Sequence, residues 1–132
     1  MTISDSHSLI VVLNSNKVLE YRRERSLTDG QIQDLDRAEL KMQSGIHVGS
    51  EFIRHPTEDD KAIFMATQLV IALENDQENI IGISCSYLAT RYPNLLQVRA
   101  TSDNGQYSIQ LINDEAYVEN TPLMFKPKNE IY

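Results

Sequence analysis

The sequence predicts an α+β domain, in which an N-terminal hairpin and a C-terminal hairpin form an antiparallel sheet with about three helices packed on one face. Two observations support this class. In the 132-residue chain, strand-like segments joined by turn residues lie towards the two ends, whereas the middle carries helix caps and apolar residues at helical spacing. Strands and helices do not alternate, so a parallel sheet of βαβ units is not expected.

The first predicted element is a hairpin. Residues 9–13 are an unbroken apolar run rich in β-branched side chains, which is typical of a strand covered on both faces. Asn14 and Asn16 follow this run, and asparagine tolerates the left-handed backbone that tight turns require. Residues 17–21 have the composition of a returning strand. The sequence therefore predicts a hairpin over residues 9–21.

A helix is predicted over residues 28–44. Thr28 and Gln31 have the spacing of a capping box, in which each side chain bonds the other residue's backbone N–H. Asp29 adds a negative charge at the positive end of the helix dipole, and Gly45 is placed to end the helix. One apolar face is formed by residues at helical spacing, namely Ile32, Leu35, Ala38 and Met42.

A connector and a second helix are predicted next. Residues 45–56 contain two glycines and a proline, and only Ile46 and Val48 suggest a short extended piece. Thr57 is a candidate N-cap, and the three acidic residues after it suit the start of a helix. The helix predicted over 57–75 is apolar nearly all round, which is typical of a central helix buried on several sides.

The segment 76–92 allows two interpretations. As a helix it would be capped by Asp76, with Ile81 and Cys85 on one face; as a strand it would alternate apolar and small residues. Pro93 ends either element. The length before that proline favours a helix, since strands are rarely so long.

The C-terminal part is predicted to return to β-structure. The dipeptide Asn104-Gly105 is a strong hairpin signal, and the flanking residues alternate or are β-branched. A hairpin is therefore predicted over residues 95–112. Residues 116–125 could add short edge strands, although prolines near them limit ladder bonding.

Length and charge narrow the class of protein. Residues 1–132 fit a single domain, with loose ends expected at about 1–7 and 127–132. The net charge is −7, and such an acidic surface repels nucleic-acid phosphates and anionic membranes. Neither nucleic acid nor a membrane is therefore expected as a partner. Cys85 is the single cysteine, and an internal disulfide is impossible, so the cytoplasm is the expected location.

Arginine supplies the first candidate site. The guanidinium group of arginine binds a carboxylate or a phosphate with two parallel hydrogen bonds. A cluster of arginines therefore suggests a docking site for an anionic ligand or partner. The competing interpretation is a solvated strand end that pairs with acidic helices. The candidate ligand- or partner-binding residues are Tyr21, Arg22, Arg23, Arg25, Arg91 and Arg99.

Two further sets of residues are candidate sites. His47, Glu51 and His55 are spaced four apart and would share one face of a continuous helix, a geometry that binds metals. Glycines and a proline argue against a helix there, so unrelated loop histidines are favoured and no metal is expected. Cys85 lies on an apolar stripe and is predicted to be a core residue rather than a nucleophile.

The polar side of the third helix remains open to interpretation. Ser84, Ser86 and Thr90 could line a pocket, or they could form the wet side of an amphipathic helix.

The sequence contains no convergent set of reactive groups and no glycine-rich phosphate loop. It therefore favours a non-catalytic accessory or regulatory protein that binds another protein, or a second copy of itself as a homodimer. Acidic helices suit a basic partner, and a sheet edge near 116–125 could accept an added strand. The alternative is a binding protein or small enzyme with an arginine-lined pocket for a small anionic molecule. No cofactor is expected in either case.

Overall fold

The structure, a computed structural model, describes residues 8–23 and 26–118. In these two segments the chain forms six strands and three helices, arranged as a four-stranded sheet, a two-stranded sheet and a layer of helices. The elements in chain order are β1 (Ser8–Leu13), β2 (Asn16–Arg22), α1 (Asp29–Gln43), β3 (Ile46–Val48), β4 (Glu51–Ile53), α2 (Glu58–Glu74), α3 (Glu78–Arg91), β5 (Gln97–Asp103) and β6 (Gln106–Ile112). The α+β class is confirmed.

The main sheet is mixed, so the prediction of a purely antiparallel sheet is wrong. Its order is β2-β1-β5-β6, and β1 pairs in parallel with β5, with Val11 opposite Val98. Each of these central strands pairs antiparallel with the second strand of its own hairpin. The physical reason is burial: β1 and β5 are the more buried strands of the two hairpins, and together they occupy the centre.

Both predicted hairpins are confirmed. The backbone angles of their two-residue turns explain how the chain reverses direction within so few residues. Asn14 and Ser15 have φ angles of 50° and 72°, and Asn104 and Gly105 have φ angles of 55° and 79°. Two successive residues with positive φ form the turn whose twist matches the twist of the flanking strands.

The core lies between the main sheet and the helices. Leu9, Val11 and Val98 face it from the central strands and are fully buried. The predicted core helix is confirmed as α2, whose central residues lose nearly all of their solvent contact. α3 shares this central position, because its six consecutive residues 84–89 are buried. The helix interpretation of segment 76–92 is confirmed by α3, which is enclosed on all sides over residues 84–89.

Two of the three helix starts follow the predicted chemistry. Thr28 caps α1 and Thr57 caps α2, each through a complete capping box. The predicted cap of α3 is wrong: Gln77 is the cap residue and forms no side-chain cap bond. Asp76 instead takes a left-handed φ of 55° in the short turn between α2 and α3. That backbone conformation places Asp76 outside the helix start.

The predicted connector 45–56 is more ordered than expected, since it contains the β3–β4 hairpin. Gly45 precedes this hairpin with a φ of 111°, and the Phe52 ring lies against its Cα. A Cβ atom at this position would stand 2.3 Å from the ring, and a φ of 111° is strained for any residue with a side chain, so the backbone here favours glycine. The close approach seats the hairpin against the end of α1.

The sheet face remote from the helices is also covered at its centre. Ile10 and Val12 point to that side and are buried. The chain after β6 returns across this face, where the Gln97 side-chain amide donates a hydrogen bond to the Glu115 carbonyl at 2.7 Å. The Lys17 ammonium lies over the Tyr117 ring, 5.8 Å from the ring centre. The prediction that β1 is covered on both faces is thus confirmed. Residues 116–118 form no strand, and the remainder of the predicted edge segment and both predicted loose ends lie outside the described residues.

Candidate functional site

The arginines predicted to form one site are not gathered around one cavity. Arg99 lies on the sheet face remote from the helices, beside Ser108 and Gln110 in a shallow depression. Arg22 is an exposed residue at the end of edge strand β2, and Arg25 lies outside the described residues. Only Tyr21, Arg23 and Arg91 contact the helices, and the structure gives each of them a partner.

Arg23 is bound by backbone oxygens at the end of α3. Its guanidinium donates to four carbonyl groups at distances between 2.5 and 3.4 Å, namely those of Ser8, Ala89, Tyr92 and Leu95. Two of these oxygens lie in the last turn and at the cap of the helix, where the dipole favours a cation. Burial lowers the pKa of Arg23. With its donors occupied, this group fastens the end of β2 to α3.

Tyr21 and Arg91 are likewise engaged within the fold. The Tyr21 hydroxyl lies 3.2 Å from the Ser86 hydroxyl oxygen on α3. The Arg91 guanidinium contacts Glu39 at 3.3 Å and Asp36 at 3.6 Å, and it lies 5.4 Å from the centre of the Tyr87 ring. These contacts join α3 to the sheet and to α1.

Glu39 is the centre of a polar cluster that joins the three helices. Its carboxylate accepts hydrogen bonds from Lys61 at 2.6 Å, from Tyr87 at 2.5 Å and from Arg91 at 3.3 Å. The donors come from α2 and α3, whereas Glu39 lies on α1. A carboxylate with three donors is well saturated, because charge-assisted bonds of this kind are the strong ones.

The pKa shifts in this cluster fix the protonation state of each group. Burial alone would raise the pKa of Glu39, but the bonds from Lys61 and Tyr87 outweigh it and hold that pKa below its ordinary value. Burial, together with the bond to Glu39, raises the pKa of Tyr87 far above its ordinary value, and the same carboxylate raises the pKa of Lys61. At neutral pH the carboxylate stays ionised and both donors stay protonated. None of these three groups exchanges a proton readily near neutral pH, so we interpret the cluster as one that holds the three helices together.

The histidine set is dispersed by the β3–β4 hairpin. His47 lies on β3 with its ring 5.1 Å from that of Phe52, Glu51 begins β4, and His55 follows β4. No helix brings the three together. Across residues 8–23 and 26–118, no group of three or more His, Cys, Asp or Glu side chains is placed to hold a metal ion.

Cys85 is a core residue of α3. Its thiol is buried, and burial raises its pKa to about 12. A nucleophilic cysteine needs a thiolate, and this one remains protonated at neutral pH.

The largest of the described cavities lies among the three helices and β3, and it has a volume of about 430 Å³. Most of its wall is apolar, formed chiefly by Met42, Ile46, Phe64, Met65, Ile80 and Ile83. Its polar groups are Lys41, His47, Gln68 and Ser84. The serine pattern on the third helix was the only signal in the sequence for this site. The other lining residues come from α1, α2, α3, β3 and the turn before β3, so no single sequence pattern contains them.

The two edges of the main sheet differ in chemistry. β2 carries Lys17, Glu20 and Arg22, and its pairing with β1 shifts register between Val11 and Val12. β6 carries no charged residue and no proline, and its seven residues pair with β5 in an uninterrupted register. Within the described segments β5 is the only strand that pairs with β6.

The described helices include none that is both long and apolar enough to span a bilayer. Comparison of the chain with protein families, with curated proteins and with solved structures finds no match in any of the three.

Proposed function

We propose that this chain is a non-catalytic accessory or regulatory protein that acts by protein–protein association, and that β6 is the strand through which it associates. The observation that carries the proposal is the state of this edge: seven residues long, without charge, proline or irregular pairing. An edge strand presents unpaired N–H and C=O groups, and proteins normally protect such an edge with charges, prolines or bulges. An edge without those features is suited to receiving another strand.

The contrast with β2 supports this assignment. β2 places three charged residues along its length, with Lys17 and Glu20 paired at 3.3 Å, and its ladder is irregular. Both features discourage strand addition. The same sheet therefore has one protected edge and one receptive edge.

We assign a second copy of the chain as the occupant. Like-charged molecules repel, and each copy carries a net charge of −7. The β5–β6 hairpin is the place where this repulsion is weakest, because its strands contain only Arg99 and Asp103 as charged residues. The acidic first turns belong to α1 and α2 instead.

Antiparallel pairing of two β6 strands also suits their side chains. The single register that pairs all seven residues places Ser108 of one copy opposite Gln110 of the other. Tyr107, Ile109 and Leu111 alternate with these polar residues and lie on the helix side of the sheet. In this register Ile109 would meet Ile109 and Tyr107 would meet Leu111, whereas Ser108 would meet Gln110. Only the end pair, Gln106 with Ile112, would join a polar side chain to an apolar one.

Charge variants at two positions test the proposal. Ser108→Glu with Gln110→Glu places like charges opposite each other across the interface, whereas Ser108→Lys with Gln110→Glu places opposite charges there. In both variants the glutamate at position 110 faces Arg99 of its own chain, so the effect of this substitution within one copy is the same. Thr101→Lys is the control, since Thr101 is an exposed residue of central strand β5 beside Ser108.

Sedimentation velocity of the full chain gives the readout. The wild type is expected to form a dimer at concentrations up to about 100 μM, and the like-charged variant should raise its dissociation constant at least about tenfold. The oppositely charged variant and Thr101→Lys should remain dimeric. A monomeric wild type over this range, or equal loss in both charge variants, would overturn the proposal.

A further inference from the structure

The cavity among the helices contains an unsatisfied polar group at its inner end. Ser84 is only 1% exposed, and its hydroxyl has no hydrogen-bond partner among residues 8–23 and 26–118. Buried polar groups in proteins almost always have a partner, because an unpaired one loses its hydration without compensation. Ser84 is one of the residues that line the cavity, so a bound molecule that reaches its hydroxyl can supply the missing hydrogen bond.

The outer end of the same cavity is basic. Lys41 and His47 line it and are exposed, and within the described parts of the chain the Lys41 ammonium and the His47 ring form no ion pair or side-chain hydrogen bond. None of the acidic residues in the described segments lines this cavity, although the whole chain has 19 acidic residues against 12 lysines and arginines. The groove on the other side of Ile83 is opposite in character, since Asp34 and Glu78 line it. The cavity thus lacks the acidic groups of that groove, and its charge favours an anion.

We infer that this cavity binds a small amphiphilic carboxylate whose apolar body carries a hydroxyl group at the far end. The carboxylate would lie near Lys41 and His47, where it stays partly hydrated, and the hydroxyl would bond Ser84 inside. An apolar body between them would pack on Phe64 and the two lining methionines, which accommodate an aromatic ring well. None of the lining residues belongs to β6, so this site is independent of the proposed association.

The size of the cavity agrees with a small amphiphilic carboxylate as the ligand. Ligand cavities usually have volumes of roughly 300–1,000 Å³, so this one lies near the lower end. At roughly 30 Å³ for each water-sized group, it admits a ligand with somewhat more than ten non-hydrogen atoms. A phenol ring with a short carboxylate chain meets that limit, whereas a long fatty acid or a nucleotide exceeds it.

Three related probes test the inference by heteronuclear NMR titration of the full-length chain. They are para-hydroxyphenylpropanoate, phenylpropanoate, which lacks the hydroxyl, and tyramine, which replaces the carboxylate with an ammonium group. The first should shift the amide signals of cavity residues and bind about tenfold more tightly than the second, a ratio equal to 1.4 kcal/mol. Tyramine should not bind, because the outer end of the cavity is basic.

Two variants and two matched controls connect the probes to the residues. Ser84→Ala should bring the two acids to equal affinity without moving the weaker one, and Lys41→Ala should weaken both acids alike. Ser86→Ala and Arg37→Ala are the controls, since Ser86 is a buried serine of α3 and Arg37 is a cation of α1, and neither lines this cavity.

Each possible result of these titrations either supports the inference or overturns it. Loss of the tenfold preference in Ser84→Ala, with the preference retained in Ser86→Ala, supports the inference. Absence of shifts at the cavity residues, binding of tyramine as tight as that of the acids, or an unchanged preference in Ser84→Ala would each overturn it. Because sedimentation is measured without a probe, failure here leaves the dimer proposal to be decided by its own variants.

Discussion

Two regions of the molecule treat their polar groups in opposite ways. At the end of α3, Arg23 bonds four carbonyl oxygens, and Glu39 accepts from three donors. In the cavity among the helices, the Ser84 hydroxyl has no partner, and along β6 no second strand pairs with the outer edge in the part of the chain that the structure describes. We call the first region closed, because its polar groups are bonded within the fold. We call the second region open, because these polar groups have no partner among the described residues.

The difference follows from the free-energy cost of each kind of group. A buried charge without partners costs far more than a buried neutral dipole, so the fold completes the bonding of its inward charges first. A neutral hydroxyl or a strand edge can be left open at lower cost. In this protein Arg23 and Arg91, two of the candidate arginines, therefore hold the fold together, and the two places proposed for binding depend mainly on uncharged groups.

The largest test of this comparison is the removal of the Arg23 guanidinium. Arg23→Ala leaves four carbonyl oxygens without their donor, and the end of β2 loses its attachment to α3. The free energy of unfolding is expected to fall by about 3 kcal/mol. Urea denaturation followed by circular dichroism measures it. Arg22→Ala is the control and should change stability by less than about 0.5 kcal/mol, because Arg22 is exposed. Equal effects from the two changes would mean that Arg23 is not a fastener.

A smaller effect is expected at the carboxylate of the closed region. Glu39→Gln keeps the shape of the side chain but removes the charge that Lys61, Tyr87 and Arg91 address, and it should lower stability by about 2 kcal/mol at neutral pH. Asp34→Asn is the control on the same helix, because Asp34 bonds only the exposed Arg37. That change should cost less than about 0.5 kcal/mol.

The pH dependence of this difference gives an independent check. The pKa of Glu39 is lowered in the folded state from an ordinary value of 4.5, so its stabilisation is complete above that value. It is lost as the pH falls below 4.5 towards the folded pKa, because the folded state then takes up a proton that the unfolded state already holds. The stability gap between the wild type and Glu39→Gln should therefore narrow on acidification. A gap that stays constant down to about pH 3 would contradict the ionised cluster.

Much of the fold was predictable because its local signals agree with its tertiary structure. The helix caps at Thr28 and Thr57 and the turn at Asn104-Gly105 are short-range interactions, and each appears where the sequence places it. The parallel pairing of β1 with β5 was not predictable in this way. It depends on which strands of two distant hairpins are most buried, and no local pattern records that choice.

The candidate site was far less predictable from sequence. Arginine is noticeable in any sequence, but only packing decides whether carbonyl groups surround it, as they do for Arg23. The cavity joins Lys41, His47, Gln68 and Ser84 from four separate elements, so no spacing rule could collect them. The uncharged character of β6 was visible in the sequence, but its position at the sheet edge was not.

The smallest expected effect is the most direct comparison of the two regions, because it uses two serines of one helix. Ser84 and Ser86 are both buried in α3, yet Ser86 shares a hydrogen bond with Tyr21 and Ser84 has none. Alanine has the higher helix propensity, and that gain of about 0.5 kcal/mol is common to both substitutions. The difference between the two variants therefore isolates the hydrogen bond.

Ser84→Ala removes a hydroxyl that is buried without a partner, and it should raise the free energy of unfolding by about 1 kcal/mol. Ser86→Ala leaves the Tyr21 hydroxyl unpaired and should lower it by up to about 1 kcal/mol, after the propensity gain is included. Urea denaturation of both variants under the same conditions gives the difference. Opposite signs would establish that one helix carries a satisfied hydroxyl beside an open one. A loss of stability in Ser84→Ala would show that its hydroxyl already has a partner in the free protein, and the inner end of the cavity would then have no vacant hydrogen bond to offer.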